Sequence, residues 1–286
     1  MELREVASTP ALGPLFARAA LTQRGRGGAL PAHGLLLAAV QVDRAHLLDY
    51  QHLCRFAGGD VLPHTYPHVL GFPLQVALMA GRDFPLPLPG LVHLENRITV
   101  HRRLTADDRL DVTVHAADLR PHAKGQLVDL VTEVDVDGER VWEGRSTYLR
   151  RGRGDANAVA PQSSPPMPQG PPAGVLRLPE GLGRAYAAVS GDVNPIHLHA
   201  LSAKAMGFPR AIAHGMWTAA RTLATLGPEA SEPSTSEVWF RKPVLLPSTV
   251  ELVVDDSGSR TVVGLRSGRE GVREHLVLTL DVEAGA

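Results

Sequence analysis

Apolar residues along this chain recur with two different periods, and the same order of periods occurs in both halves. In each half a short apolar stretch, 47–57 and 182–189, leads into a glycine-containing turn with an aspartate, Asp60 and Asp192. A helical period of i, i+3, i+4, i+7 follows, and after it comes the alternation of β-strands. The matched order predicts two repeats of one α+β unit.

Each repeat is expected to contain one amphipathic helix with its own start signal. In the second half His214-Gly215 stands before an apolar stripe. The stripe consists of Met216, Ala219, Ala220 and Leu223. In the first half Pro73 is expected in the first helical turn, because its fixed φ suits that turn and its missing N–H has no helical partner there.

Alternating apolar residues predict the strands. They cover 110–116, 128–136, 237–240, 250–254, 261–265 and 276–282. The Asp137-Gly138 pair after the second of these stretches is typical of a tight hairpin turn. A helix followed by several antiparallel strands indicates an α+β fold with the helix on one face of the sheet, and two such sheets can pair edge to edge.

A proline-rich segment separates the halves. Residues 152–174 hold prolines at a density that stops helices and interior strands, because proline fixes φ and lacks a donor. We therefore expect an N-terminal repeat over 1–151, a linker over 152–174 and a C-terminal repeat over 175–286.

Composition narrows the classes of function. Of the 286 residues 44% are hydrophobic, enough for a sizeable core, and the formal net charge of -1 argues against nucleic-acid or polybasic membrane-surface binding. The basic clusters Arg24–Arg26 and Arg150–Arg153 are interpreted as solvated turns. Cys54, the single cysteine, excludes an internal disulfide, and its apolar neighbours indicate a buried thiol. Because no stretch is long enough to span a bilayer and no secretory signal is visible, a cytoplasmic protein is expected.

The segment from Ser190 to His197 carries the candidate chemistry. Ser190-Gly191-Asp192 forms a turn, and Asn194-Pro195 extends it, since the residue before proline is kept out of the helical region. From such a turn the Asp192 carboxylate and the His197 imidazole can converge on one water molecule. This pair supplies a base and an acid near neutral pH.

The helix start at His214-Gly215 adds a third element. On its own, the pair would be explained by Asp192 capping a turn and His197 being a buried histidine. A helix N-terminus, however, presents unpaired N–H groups and a partial positive charge, and glycine lets a ligand oxygen come close. A carboxylate, an imidazole and a helix N-terminus together make a base, an acid and an oxyanion site.

These residues resemble a known family. The motif reads Ser190-Gly191-Asp192-x-Asn194-Pro195-Ile196-His197, followed by Gly207-Phe208 and Ile212-Ala213-His214-Gly215-Met216. It closely resembles the MaoC-like dehydratases, which include the (R)-specific enoyl-CoA hydratases. Residues 65–73 look like the degenerate N-terminal repeat of members with two repeats. One departure is His199, where members often have an acidic residue.

The resemblance implies a fold, a reaction and a set of roles. The fold is a double hotdog, in which each antiparallel sheet wraps around a long helix. The reaction is the reversible hydration of trans-2-enoyl thioesters to (R)-3-hydroxyacyl thioesters. Asp192 and His197 are then the catalytic dyad, and the Gly215 backbone N–H is the oxyanion donor. Asn194 helps to shape the turn.

The same resemblance sets the expected partners. No cofactor and no metal are expected, because coenzyme A or an acyl carrier protein arrives as part of the substrate. Ser190 and His214, which flank the dyad, are expected substrate contacts. Arg241 and Lys242 follow a strand and can reach the phosphates of coenzyme A, although a solvated strand end explains them equally well. A monomer with paired repeats or a homodimer is expected.

The first repeat is shortened between the matched landmarks. Asp60 precedes His68 by eight positions, whereas twenty-two separate Asp192 from His214, so 198–210 is extra in the second half. We expect an apolar space between the repeats that accepts medium to long acyl chains, unless large side chains refill it. Its expected lining is Leu70, Phe72, Leu74 and Leu78.

Only the second repeat is expected to be catalytic. In the first repeat His64 stands one place too early to match His197, and Val69 occupies the position matched to Gly215. A side chain at that helix start would block the approach of an oxygen. Asp60, the counterpart of Asp192, is therefore expected to have no catalytic role.

Other interpretations stay open. A metal site formed by His197, His199 and His214 is disfavoured, because no nearby Cys or Glu completes the set. A hotdog acyl-CoA thioesterase would use a similar oxyanion helix but would not need the Asp-x-Asn-Pro-x-His spacing. A non-catalytic acyl-thioester binding module is the third alternative. Serine esterases and dinucleotide enzymes lack support, since neither Gly-x-Ser-x-Gly nor Gly-x-Gly-x-x-Gly after a strand is present.

Overall fold

The computed structural model describes residues 1–21, 27–159, 163–256, 260–268 and 273–282. The strands of the first half are β1 (Glu2–Glu5), β2 (His33–Gln41), β3 (Leu91–Val100), β4 (Arg109–His122), β5 (Gly125–Val136) and β6 (Glu139–Arg151). Those of the second half are β7 (Gly174–Leu178), β8 (Ser234–Phe240), β9 (Ser248–Asp255), β10 (Thr261–Ser267) and β11 (Arg273–Val282).

The helices range in length from the four residues of α5 to the fifteen of α3. The first half has α1 (Leu12–Leu21), α2 (Arg44–Cys54) and α3 (Tyr66–Ala80). The second half has α4 (Leu182–Ser190), α5 (Pro195–Leu198), α6 (Ala200–Ala205) and α7 (Gly215–Leu223), followed by a 3₁₀ segment, Ala224–Ser231. In the part of the chain that the structure describes, no helix is long and apolar enough to cross a membrane.

One continuous sheet carries both halves. Its strand order is β1-β2-β4-β5-β6-β3-β8-β11-β10-β9-β7. The halves join where β3 pairs antiparallel with β8, from Glu95 opposite Trp239 to Val100 opposite Ser234. The expected edge-to-edge pairing of two sheets is thus confirmed, and the α+β class with it.

Most of the predicted elements are confirmed. The predicted strands all fall within β4, β5, β8, β9, β10 and β11. Asp137 and Gly138 connect β5 to β6 with positive φ angles of 53° and 81°, which is the backbone of a tight hairpin turn. Helix α7 begins at Gly215 with His214 as its N-cap, as the apolar stripe predicted.

The start of the first-half helix was predicted wrongly. Helix α3 begins at Tyr66, with Pro67 in its first turn, and Pro73 lies inside the helix. Nearly all of α3 is buried, so its sequence has no polar face from which the first turn can be recognised. The residue in the position of Gly215 is therefore Tyr66 and not Val69, although the conclusion that a side chain occupies this helix start is unchanged.

Two further expectations need correction or qualification. Arg150 and Arg151 belong to β6 instead of a solvated turn, and Arg150 donates to the Pro89 carbonyl at 2.9 Å. Arg24–Arg26 lies outside the described residues. Residues 163–173 form no helix or strand, but they do not lie free in solvent, because Met167 is buried against Gly264.

The main core spans the two repeats. It joins side chains of the first half such as Tyr50 and Trp142 to side chains of the second such as Tyr186 and Leu223. Cys54 is fully buried in this core, and burial raises the pKa of its thiol to about 12, so the interpretation as a structural thiol is confirmed. The helices that carry the candidate chemistry are α4, α5 and α7. They are therefore supported by a hydrophobic core to which both repeats contribute.

Candidate active site

The turn that presents Asp192 is fixed by local hydrogen bonds. Helix α4 ends at Ser190 and is capped by Gly191, which adopts a left-handed φ of 72° that suits glycine. The Ser190 hydroxyl donates to the Tyr186 carbonyl at 2.8 Å and accepts from the Asp192 N–H at 3.2 Å. The Asp192 carboxylate accepts from the Asn194 N–H at 3.1 Å. The carboxylate is thereby held at a defined angle to the helix end.

Ser190 and Asn194 consequently have structural roles. The hydroxyl of Ser190 is occupied by the backbone and the residue is buried, so it is not placed as a substrate contact, contrary to expectation. The side-chain oxygen of Asn194 accepts from the Ile196 N–H and caps α5. Asn194 shapes the turn, in agreement with what the resemblance implied.

His197 lies on α5 with one ring nitrogen committed to the backbone. Its Nδ1 is 2.8 Å from the Ile212 carbonyl. A carbonyl only accepts, so we assign the proton to Nδ1, and Nε2 of the neutral ring carries the lone pair. Burial lowers the pKa of His197, and the nearby Asp192 carboxylate partly offsets the effect. At neutral pH His197 is a proton acceptor through Nε2.

His214 links the two members of the dyad. Its ring stacks on the His197 ring with centroids 3.7 Å apart, and its Nε2 lies 2.9 Å from the Asp192 carbonyl and 3.8 Å from the Asp192 carboxylate. Burial, followed by the neighbouring His197, lowers the pKa of His214 to about 3. His214 is thus a neutral donor that positions the dyad, and its expected contact with substrate stays a prediction.

Gly215 opens α7 directly beside this cluster. Its N–H belongs to the first turn of the helix, where backbone donors have no helical partner. A Cβ at Gly215 would lie 3.2 Å from the ring of Phe240, at the end of β8. Glycine therefore fits a space walled by an aromatic ring, and it leaves the N–H open to an oxygen.

The first repeat contributes residues that the sequence analysis missed. His68, on α3, is buried, and the Asp192 carboxylate is close enough to raise the pKa of His68 against the larger lowering by burial, which brings it to about 4. Burial raises the pKa of the Tyr148 hydroxyl, and the same Asp192 carboxylate adds to this increase. The rings of His68, His93 and Phe240 lie in succession, at centroid distances of 6.3 and 5.0 Å. The first repeat thus forms one wall of the site.

Of the four residues expected to line the acyl groove, Leu70 and Phe72 are half-buried, and the groove is closed at Leu74 and Leu78. Leu74 and Leu78 are 0% and 3% exposed, too little to line an open space. Leu12, Leu15 and Phe16 of α1 pack against the same cluster, and Phe72 lies beside it, with its ring centroid 6.2 Å from that of His68. Large side chains of the first repeat thus fill the space around Leu74 and Leu78, as close packing favours.

The structure does not bring Arg241 and Lys242 to the dyad as free cations. Arg241 is paired with Glu274, and it donates to Pro165 of the segment between the repeats at 2.6 Å. Lys242 has an exposed side chain. A phosphate would have to displace the partners of Arg241, so the expectation that Arg241 binds coenzyme A is not supported. Sequence spacing gave no signal for an ion pair with a residue so distant in the chain.

Three potential metal ligands do meet at the site. Donor atoms of Asp192, His197 and His214 lie within 4.8 Å of one another, and the exposed His199 is not among them. The ring nitrogen of His214 near the Asp192 carboxylate is Nε2, at 3.8 Å, and it carries the proton given to the Asp192 carbonyl. Moving this proton to Nδ1 would leave a buried N–H that has no partner among the described residues. The donor geometry therefore fits proton transfer better than metal binding.

Comparison with known proteins identifies the family. A MaoC like domain matches residues 175–276, and a FAS1-like dehydratase domain region matches residues 50–144. The chain is 39% identical over 254 residues to 3-hydroxyacyl-thioester dehydratase X of Mycobacterium tuberculosis. The aligned region covers 88% of this chain and 90% of that protein. The chain belongs to the MaoC-like dehydratase family.

Solved structures of the family agree with the fold. The crystal structure of HtdX of Mycobacterium tuberculosis superposes with a TM-score of 0.77 at 37% identity, covering 87% of this chain and 99% of HtdX. A second Mycobacterium tuberculosis protein, described as having a double hotdog fold, superposes with a TM-score of 0.50 at 16% identity over 90% of this chain and 95% of its own. The double hotdog fold of this MaoC-like chain is thereby confirmed.

Another relative matches in part. Peroxisomal enoyl-CoA hydratase 2 of Arabidopsis thaliana is 30% identical over 154 residues, which is 46% of this chain and 50% of the plant protein. One relative is thus named as a dehydratase of 3-hydroxyacyl thioesters and the other as a hydratase of enoyl-CoA.

Proposed function

We propose that this MaoC-like protein catalyses the reversible hydration of trans-2-enoyl thioesters to (R)-3-hydroxyacyl thioesters. The observation that carries the proposal is a cluster in which donor atoms of Asp192, His197 and His214 lie within 4.8 Å of one another, with helix α7 beginning at Gly215, the residue after His214. The names of the hydratase and dehydratase relatives support the same reaction.

The electronics of the substrate match this arrangement. In an enoyl thioester the carbonyl withdraws charge from C3, so the water oxygen bonds to C3 and negative charge gathers on the carbonyl oxygen. The Gly215 N–H and the positive end of α7 would stabilise that charge. Each interaction strengthens as the enolate forms, which is the condition for catalysis rather than tight substrate binding.

One water molecule supplies both the hydroxyl group added at C3 and the proton added at C2. His197 is neutral at neutral pH and Asp192 offers a carboxylate, so both begin as acceptors. One of them takes a proton from the water as the C3–O bond forms. The pair then delivers that same proton to C2. Addition from a single face follows, and the coupled pair is best treated as one acid–base unit.

A thioesterase is the second candidate. Its carboxylate and oxyanion helix would resemble those described here, but hydrolysis releases a free thiol, whereas hydration keeps the thioester intact. Acyl-thioester binding without turnover is the third. The bonds that fix His197 and His214 around Asp192 favour proton transfer, which a pure binding module does not require.

Several finer points belong to the proposal alone. We propose that the enzyme acts in the cytoplasm, without a cofactor, and that its substrate is carried by coenzyme A or a carrier protein. It would work as a monomer with paired repeats or as a homodimer.

Product analysis on crotonyl-CoA tests the proposed reaction. Hydration removes the absorbance of the conjugated enoyl group without releasing thiol, and chromatography on a chiral phase identifies the (R)-3-hydroxy product. Thiol release would establish the thioesterase, and saturable binding with neither change would establish a binding module.

A further inference from the structure

A histidine of the first repeat holds the end of the helix that carries the catalytic turn. His46 lies on α2, and its Nε2 is 2.7 Å from the carbonyl of Val189, the residue before Ser190. Its Nδ1 is 2.8 Å from the Tyr66 hydroxyl at the start of α3. The contact joins residues 46 and 189, which belong to different repeats.

The donors in this chain of contacts can be assigned. The Val189 carbonyl only accepts, so Nε2 of His46 carries a proton, and we assign Nδ1 as the acceptor of the Tyr66 hydroxyl. Burial raises the pKa of Tyr66, which keeps its hydroxyl protonated and able to donate. Tyr66 thus selects the form of His46 that can bind Val189.

The Val189 carbonyl needs an outside partner. The last carbonyl groups of a helix have no partner within it, and α4 ends at Ser190. Two residues further on, Asp192 begins the catalytic turn, and its own carbonyl is held by His214. The turn is therefore held at its start by the first repeat and at Asp192 by the second.

We propose that His46 is a positioning residue of the active site, supplied by the repeat that lacks a dyad. The inference rests on the proposed function, since it assigns His46 the task of aiming the Asp192 carboxylate. Loss of the bond would let the end of α4 shift, and a misplacement of about 1 Å can cost on the order of a hundredfold in rate.

Two substitutions of similar polarity separate positioning from stability. In His46→Gln the side-chain N–H can reach the position of Nε2 and still donate to Val189. In His46→Asn the shorter amide reaches only the position of Nδ1, so the Tyr66 contact can remain while the Val189 contact is lost. The control is His52→Gln, because His52 is an exposed histidine in the last turn of the same helix.

The kinetic constants on crotonyl-CoA and the melting temperature are measured for each variant. We expect kcat of His46→Asn to fall about tenfold or more with KM nearly unchanged, kcat of His46→Gln to stay within about threefold, and His52→Gln to match the wild type. Equal values of kcat for the Gln and Asn variants, or losses that simply follow the melting temperature, would overturn the proposal.

Two further variants complete the test. If His46→Asn does not fold, Tyr66→Phe decides: a folded variant with reduced kcat supports the proposal, and one with the wild-type kcat overturns it. Asp192→Asn is measured alongside to keep the two claims apart. If the wild type is active, Asp192→Asn is inactive and the His46 variants are unaffected, only the role of His46 is refuted. If the wild type is inactive, the proposed function and this inference are refuted together.

Discussion

The imidazole rings of His197 and His214 stack with their centroids 3.7 Å apart, and both rings are buried. Two imidazolium ions at this distance would repel each other, and burial disfavours either charge. Burial, with a smaller contribution at His214 from the neighbouring His197, therefore keeps both rings neutral, which leaves His197 as an acceptor and His214 as a donor to the Asp192 carbonyl. The electrostatic state of the site thus follows mainly from the burial of this stacked pair.

We predict that acid destabilises the fold through its buried neutral histidines. Burial lowers the pKa of His64 and His68 to about 4, and that of His93 and His214 to about 3, from an ordinary value of 6.5. Between these values the unfolded chain binds more protons than the folded chain, so the free energy of unfolding falls as pH drops below 6.5, by up to about 1.4 kcal/mol per pH unit for each group.

Urea unfolding at pH 8, 7, 6 and 5 measures this effect. His64→Gln should reduce the slope below pH 6.5, because one lowered group is removed, and the exposed His52→Gln should leave it unchanged. The free energy of unfolding should be nearly flat between pH 7 and 8. A stability that does not change from pH 7 to pH 5 would contradict the neutral state of these rings.

Gly215→Ala should impair catalysis by obstruction at the oxyanion site. The new methyl group would lie 3.2 Å from the Phe240 ring, which must move by a few tenths of an ångström, and it would also crowd an incoming carbonyl oxygen. We expect kcat/KM to fall by at least about tenfold, approaching the range of about 10²–10³ known for loss of an oxyanion donor.

A double variant identifies which of the two contacts matters. Phe240→Leu in the Gly215→Ala background gives the methyl group room on the protein side but not on the substrate side. Activity should therefore stay low, while the melting temperature should partly recover. Recovery of full activity would show that the ring, and not the thioester oxygen, was obstructed.

Much of the site was predictable because its residues are close in the chain. Asp192, Asn194 and His197 lie within one turn, and His214-Gly215 is marked by the helix that follows, so local rules suffice. The same rules predicted the Asp137-Gly138 hairpin. Where the chemistry and the local backbone coincide, the sequence is informative.

The failures involve long-range packing. The start of α3 has no amphipathic signature because the helix is buried on nearly every side, and Pro73 was consequently placed in the wrong turn. The ion pair of Arg241 with Glu274 joins separate strands. The contact of His46 with Val189 crosses between repeats. None of these three features leaves a periodic or local pattern along the chain.

Acyl-chain length is the property on which structure and sequence analysis disagree most. Because Leu74 and Leu78 are packed and α1 covers their cluster, we now predict that kcat/KM falls steeply from four-carbon to twelve-carbon trans-2-enoyl-CoA substrates. Phe16→Ala, which removes a side chain that packs on this cluster, should raise the twelve-carbon rate relative to the four-carbon rate. Wild-type activity that holds or rises with chain length would mean that the space opens when substrate binds.

The central claim is that Asp192 and His197 act on one water molecule, and crotonyl-CoA hydration by dyad variants tests it most directly. Asp192→Asn and His197→Ala should each lower kcat by on the order of 10²–10⁴, with melting temperatures close to that of the wild type. Asp60→Asn is the matched control from the first repeat, where the exposed carboxylate pairs with Arg44 at 3.0 Å, and it should keep full activity. Near wild-type turnover in either folded dyad variant would contradict the account.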